Sequence, residues 1–121
     1  MNNHTPSSLL ELLDTTSEEL HLLAKEHKIG LVHIHDAVNP KGGISVAFSK
    51  QSPYTNGRMV VCAVQSCSHS DAFSRKIGAR GALLKYFNGE TVVLPIMKFY
   101  ADEDLNLAVK TAFTALYYAV N

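Results

Sequence analysis

The chain has no apolar run approaching the ~18 residues that cross a bilayer. Its start, MNNHTPSSLL, lacks the basic residues and long apolar stretch of a secretion signal. These two absences predict a cytoplasmic protein with no membrane partner. Cysteine is scarce, with only Cys62 and Cys67 present. A lone C-x4-C pair in a chain without a secretion signal gives little support to a disulfide. Cys62 falls in an apolar, strand-like run and is expected to act as a small buried hydrophobe.

Signatures of catalysis are also missing. There is no G-x-S-x-G, no H-E-x-x-H and no phosphate loop of the P-loop kind, and the acids concentrate in the terminal segments. Cys67 near His69 at a helix start could have a lowered pKa, but an i, i+2 pair does not by itself make a working dyad. Six histidines invite a metal reading, and His33 and His35 alternate onto one strand face with Asp36 following. Their spacing fits no structural zinc module. The expectation is a binding protein with no catalytic residue, no metal and no cofactor.

What is present is enough apolar residue for a core. Hydrophobic residues make up 46% of 121 residues and charged residues 18%, the profile of one folded domain over residues 1–121. Formal net charge is zero but unevenly spread. Residues 1–28 carry five acids and two bases, net −3. Residues 58–85 carry Arg58, Arg75, Lys76, Arg80 and Lys85 against Asp71 alone, net +4. One local basic segment in a neutral chain does not suit a long nucleic acid, which calls for positive charge across a whole face. It suits a compact anionic ligand.

The patterning predicts an α+β fold, a mostly antiparallel four-stranded sheet with helices packed on it, in the order α-β-β-β-α-β-α. Residues 7–28 read as helix, either continuous or with a short first turn, and Thr16 and Glu19 form a capping box. IGLVHIH (29–35) and ISVAFS (44–49) flank Asn39-Pro40-Lys41-Gly42-Gly43, strong turn chemistry for a hairpin. RMVVCAVQ (58–65) is the most apolar strand and is expected in the sheet interior. Pro95 assigns TVVLPIMKF (91–99) to an edge or a bulge. Residues 71–87 read as a helix capped by Ser70 or Asp71, with Phe73, Ile77 and Leu84 on the sheet-facing side.

The last helix, 102–120, is apolar around most of its circumference, whereas a surface helix buries one stripe. A homo-oligomer formed through residues 105–120 is therefore expected, with Leu105, Val109, Phe113, Leu116 and Tyr117 at the contact; the competing reading makes this helix central to the core. In the 71–87 helix, Gly78 and Gly81 each cost ~1 kcal/mol relative to Ala. With Ala82 they form a small-residue strip that lets a backbone or flat ligand come close. Free amides at the helix start, the helix dipole and a guanidinium one turn in can hold a phosphate. The candidate ligand-binding set is Ser70, Phe73, Ser74, Arg75, Lys76, Arg80 and Asn88, with Tyr86 and Phe87 as further rings able to stack on a base. An ordinary capped helix with a solvated basic face accounts for the same residues.

The segment CSHSDAFSRKIGARGALLKYFNG (67–89) carries a Cys, then Asp-x-Phe-Ser-Arg-Lys-x-Gly, then an arginine among small residues. This pattern resembles that of small bacteriophage proteins. With the chain's size and apolar last helix, it is similar to the phage Thoeris anti-defence sponges. The resemblance implies an oligomer that sequesters a cyclic ADP-ribose-like signal or a cyclic oligonucleotide without cleaving it, in the cytoplasm of the infected host. A protein inhibitor docking on a host effector or nuclease is the competing reading.

Overall fold

The computed structural model describes residues 15–39, 42–50, 58–66, 74–96 and 102–120. Among these, a four-stranded antiparallel sheet is covered by helices on both faces. The strands are β1 (Ile29–His35), β2 (Gly43–Ser49), β3 (Arg58–Ser66) and β4 (Val92–Ile96), in the spatial order β1-β2-β3-β4. The helices are α1 (Ser17–Glu26), α2 (Arg75–Phe87) and α3 (Asp102–Val120). The element order is thus α-β-β-β-α-β-α, the α+β fold expected from the patterning. None of these helices is long and apolar enough to cross a membrane.

Local chemistry fixes several element ends. At the start of α1 the Glu19 amide donates to Thr16 Oγ1 at 3.2 Å, and the Thr16 amide donates to Glu19 Oε2 at 3.4 Å. This reciprocal capping satisfies amides that the helix leaves free. The β1–β2 hairpin is built on Asp36. Its Oδ1 accepts from the Val38 and Asn39 amides at 2.8 and 2.9 Å. Pro95 lies on β4, the sheet edge, in register with Met59 of β3, and an edge strand is where a sheet tolerates proline. β3 outruns β4, since their pairing stops at Cys62 and Val92. Beyond that point Lys85 of α2 donates to the Val64 carbonyl at 3.2 Å.

The two faces are packed differently. On one, Val32, Ile34, Ile44, Val46, Phe48, Val60 and Cys62 meet Leu105, Val109 and Phe113 of α3. The three α3 residues recur every four positions and form one stripe. Expected at a subunit contact, Leu105, Val109 and Phe113 instead fill this chain's own core. Leu116 is exposed, and the Tyr117 hydroxyl donates to Asp36 Oδ2 at 2.7 Å. The helix end is thereby fastened to the β1–β2 turn, where the Ala37 amide also donates to Tyr118 Oη at 2.9 Å. Cys62 is a free, buried thiol on this face, and burial pushes its pKa up to about 12.

On the other face, small residues do the packing. Ala47 of β2 meets Ala82 and Leu83 of α2, with Leu20 and Ala24 of α1 and Ile29 of β1 closing the cluster. Gly78 lies so close to Ser45 that a methyl group there would collide with the Ser45 hydroxyl and stand 2.9 Å from its Cβ. At Gly81 a methyl would meet Gln65 Cγ at 2.6 Å. The strip of small residues therefore faces the sheet. Ile77, expected on that side, is 71% exposed, because Gly78, Ala79, Ala82 and Leu83 set the buried phase of α2.

Replacing Gly78 by Ala tests this close approach. Ala favours helix by ~1 kcal/mol, yet overpacking a closed contact costs about 1–3 kcal/mol. Denaturant unfolding is expected to show net destabilisation, part of which returns in the Gly78→Ala, Ser45→Gly double variant. A Gly78→Ala protein more stable than the parent would mean that α2 does not sit this close.

Candidate functional site

The strand register builds a polar row that the residue order along the chain does not display. His33 of β1 pairs with Ser45 of β2, and Ser45 pairs with Gln65 of β3. Cross-strand partners share a face, so the three side chains run across the sheet beneath the first half of α2. Gly78 stands over Ser45 and Gly81 over Gln65. Ser45 is wholly removed from solvent, and a buried hydroxyl without a partner is costly. His33 supplies one, with Nδ1 2.7 Å from Ser45 Oγ and the direction of donation set by the imidazole tautomer.

His33 itself is half-buried, and its pKa is lowered from the ordinary value of 6.5. Burial is the largest cause, followed by the positive charges of Arg75 on α2 and Lys110 on α3. Cations from helices on both faces of the sheet thus act on one imidazole of the edge strand β1. At the neighbouring turn, Asp36 is held below its usual carboxylate range, chiefly by the Asn39 amide, then by the Tyr117 hydroxyl and the Val38 amide.

The start of α2 differs from expectation. The helix begins at Arg75, and Ser74 rather than Ser70 or Asp71 is its N-cap, its Oγ accepting from the Ile77 amide at 3.3 Å. Its first turn carries no acid. Arg75 and Lys76 are exposed there, and Arg80 is partly buried one turn on. Ser74, Arg75, Lys76 and Arg80 therefore all lie within the N-cap and first two turns of α2. Ser70, Phe73, Cys67 and His69 lie outside the described residues.

Asn88 is not brought to this end. It is the C-cap of α2, 13 residues from Arg75 or roughly 20 Å along the helix axis, and its Nδ2 donates to Glu90 Oε2 at 2.9 Å. Tyr86 and Phe87 also sit at that far end, where Phe87 stacks edge-on with His27 at 5.8 Å between ring centroids. Neither ring can cover a base bound near Arg75. Lys85, counted with the basic segment, is committed to the Val64 carbonyl. No group of three or more His, Cys, Asp or Glu residues among the described residues is arranged to hold a metal ion.

What the arrangement offers chemically is donors and positive charge. Ser45 is sealed under Gly78, so its hydroxyl cannot reach a substrate as a nucleophile. Alternation along β1 gave His33 its face, but its partners Ser45 and Gln65 depend on register, which no local sequence signal specifies. The chain matches no known protein-family model, no curated protein and no solved structure.

The lowered His33 pKa has a consequence with a definite sign. Folding favours the neutral imidazole, so this contribution to stability is complete above the unfolded value near 6.5. It is lost as pH falls below that value and through the lower folded pKa. Proton NMR titration should place the His33 midpoint below 6.5, and the acid-side loss of stability in this window should shrink in His33→Gln. A His33 midpoint above 6.5 would contradict the packing described.

Proposed function

We propose that this protein binds a small phosphorylated ligand of the nucleotide class at the end of the sheet where α2 begins, and retains it without chemical change. The observation that supports this reading best is the clustering of Arg75, Lys76 and Arg80 on an acid-free helix start, with Arg75 acting on His33 across the polar row. A phosphate there would meet guanidinium donors and the positive end of the helix dipole, and charge-assisted bonds of this kind are the strong ones. The resemblance of residues 67–89 to phage anti-defence sponges supplies the biological setting: sequestration of a cyclic ADP-ribose-like or cyclic oligonucleotide signal in a host cell.

Docking on a host defence effector or nuclease is the second reading, and a different surface favours it. Val92 and Val93 on β4, an edge strand among the described residues, are 56% and 47% exposed, and a sheet edge with apolar side chains is a site for adding a partner's strand.

Calorimetry against cyclic di- and trinucleotides and ADP-ribose isomers separates the two. Under the ligand reading, at least one compound binds and is recovered intact after heat denaturation. Arg75→Ala or Arg80→Ala then weakens binding about tenfold or more, the loss of one charge-assisted bond. Asn88→Ala, at the far end of α2, leaves binding unchanged. Failure of the whole panel would turn the case to the β4 edge, and a cleaved product would reveal an enzyme.

A further inference from the structure

The two halves of α2 are held to the sheet by different means. From Ala82 onward the helix gives Ala82, Leu83, Leu84, Tyr86 and Phe87 to the core cluster on its face, and Lys85 donates to the Val64 carbonyl. From Arg75 to Gly81 the only large apolar side chain, Ile77, is 71% exposed. Contact with the strands is made there by Gly78 against Ser45 and Gly81 against Gln65. Such contacts bury little apolar surface, and glycine disfavours helix relative to alanine. Local opening occurs where buried apolar contacts are few.

Beneath this lightly held half lies Ser45, wholly removed from solvent, with His33 Nδ1 at 2.7 Å as its hydroxyl's partner among the described residues. Satisfying the Ser45 proton selects the neutral tautomer with a bare Nδ1, which accepts it. A protonated imidazole carries hydrogen on both nitrogens and can only donate. The Ser45 proton then loses its acceptor, and water cannot replace it while Gly78 stands over the hydroxyl. The charges acting on His33 work in the same direction: Arg75 of α2 and Lys110 of α3 are both positive, and no carboxylate is among them. On its own strand His35 shares its face, and Asp36 is engaged by the Val38 and Asn39 amides and the Tyr117 hydroxyl. β2 presents only Ser45 to it, and α1 meets β1 at Ile29.

We propose that protonation of His33 releases the first half of α2, Arg75 to Gly81, from the sheet while the second half stays docked. Lifting this half admits water to Ser45 and carries Arg75 away from the imidazolium. Leu83 and the residues after it keep their burial throughout. The device belongs to the chain by itself and does not depend on a bound ligand.

Amide hydrogen exchange of the full chain tests this, read residue by residue by NMR and corrected for the intrinsic rate, above and below the His33 midpoint. The Gly78 amide, which donates to the Ser74 carbonyl at 2.9 Å, reports the first turn directly. Below the midpoint, Gly78, Ala79, Arg80 and Gly81 should lose protection about tenfold or more, while Leu83 to Phe87 and β2 keep theirs. In Ser45→Ala no hydroxyl is orphaned, so the loss should shrink although His33 still titrates. In His33→Gln it should disappear. Unchanged protection below the midpoint would overturn the proposal, and so would an equal loss across α2 and β2, which is general weakening without local release. A loss that persists in His33→Gln, or that is as large in Ser45→Ala as in the parent, would overturn it too.

Discussion

The contact on which most of this structure depends is the one between Gly78 and Ser45. A methyl group on Gly78 would collide with the Ser45 side chain. The closeness lets α2 lie flat on β2 and β3 with small residues, while the other face of the same strands takes the large side chains of α3. β2 is consequently buried along nearly its whole length. A strand covered on both faces loses the alternation of a half-exposed strand. It also leaves any polar side chain on it without water. Ser45 is that side chain, and His33 in the adjacent register position is what satisfies it.

From this one approach the electrostatics of the sheet end follow. An imidazole that must serve a sealed hydroxyl, half-withdrawn from solvent and acted on by Arg75 and Lys110, is held neutral. The basic residues of the segment then divide by geometry. Lys85 donates to the Val64 carbonyl, past the end of the β3–β4 pairing. Arg75 and Lys76 stay at the surface, beyond the last residue that the sheet covers. At the same end, Asp36 ties the β1–β2 turn to the tip of α3 through Tyr117.

Much of the fold was legible because local chemistry announced it. The Thr16–Glu19 capping box and Pro95 each carry a backbone constraint that acts within a few residues, and each stands where that constraint places it. β1 and β2 pair as the expected hairpin, with Pro40 and Lys41 of its turn outside the described residues. The phase of α2 was not legible by the same rule. Looking for large apolar residues selects Leu84, which does pack against the Ala47 cluster, Ile77, which is exposed, and Phe73, which lies outside the described residues. Packing over Ser45 and Ala47 adds Gly78, Ala79 and Ala82. α3 presents the opposite difficulty. It is apolar nearly all round, so the sequence could not say which stripe meets the sheet, and three of the five residues assigned to a partner, Leu105, Val109 and Phe113, proved to be the core. At the candidate site, charge density identified Arg75, Lys76 and Arg80. The length of α2 separates Asn88 from them, and only the strand register adds His33, Ser45 and Gln65.

The polar row itself is not something the packing demands. Alanine at position 45 would be as small as serine and would need no partner, and replacing both members of a buried hydrogen-bonded pair by apolar groups of like shape is often nearly neutral. Close approach of α2 therefore accounts for the glycine at 78 but not for a hydroxyl beneath it. A histidine bonded to that hydroxyl at 2.7 Å has its ring orientation constrained by it. Holding a donor or acceptor in place before a ligand arrives reduces the ordering cost of binding. The face with large side chains contains no comparable arrangement among its described core residues. On physical grounds, then, the sheet is apolar where α3 covers it and polar where α2 begins.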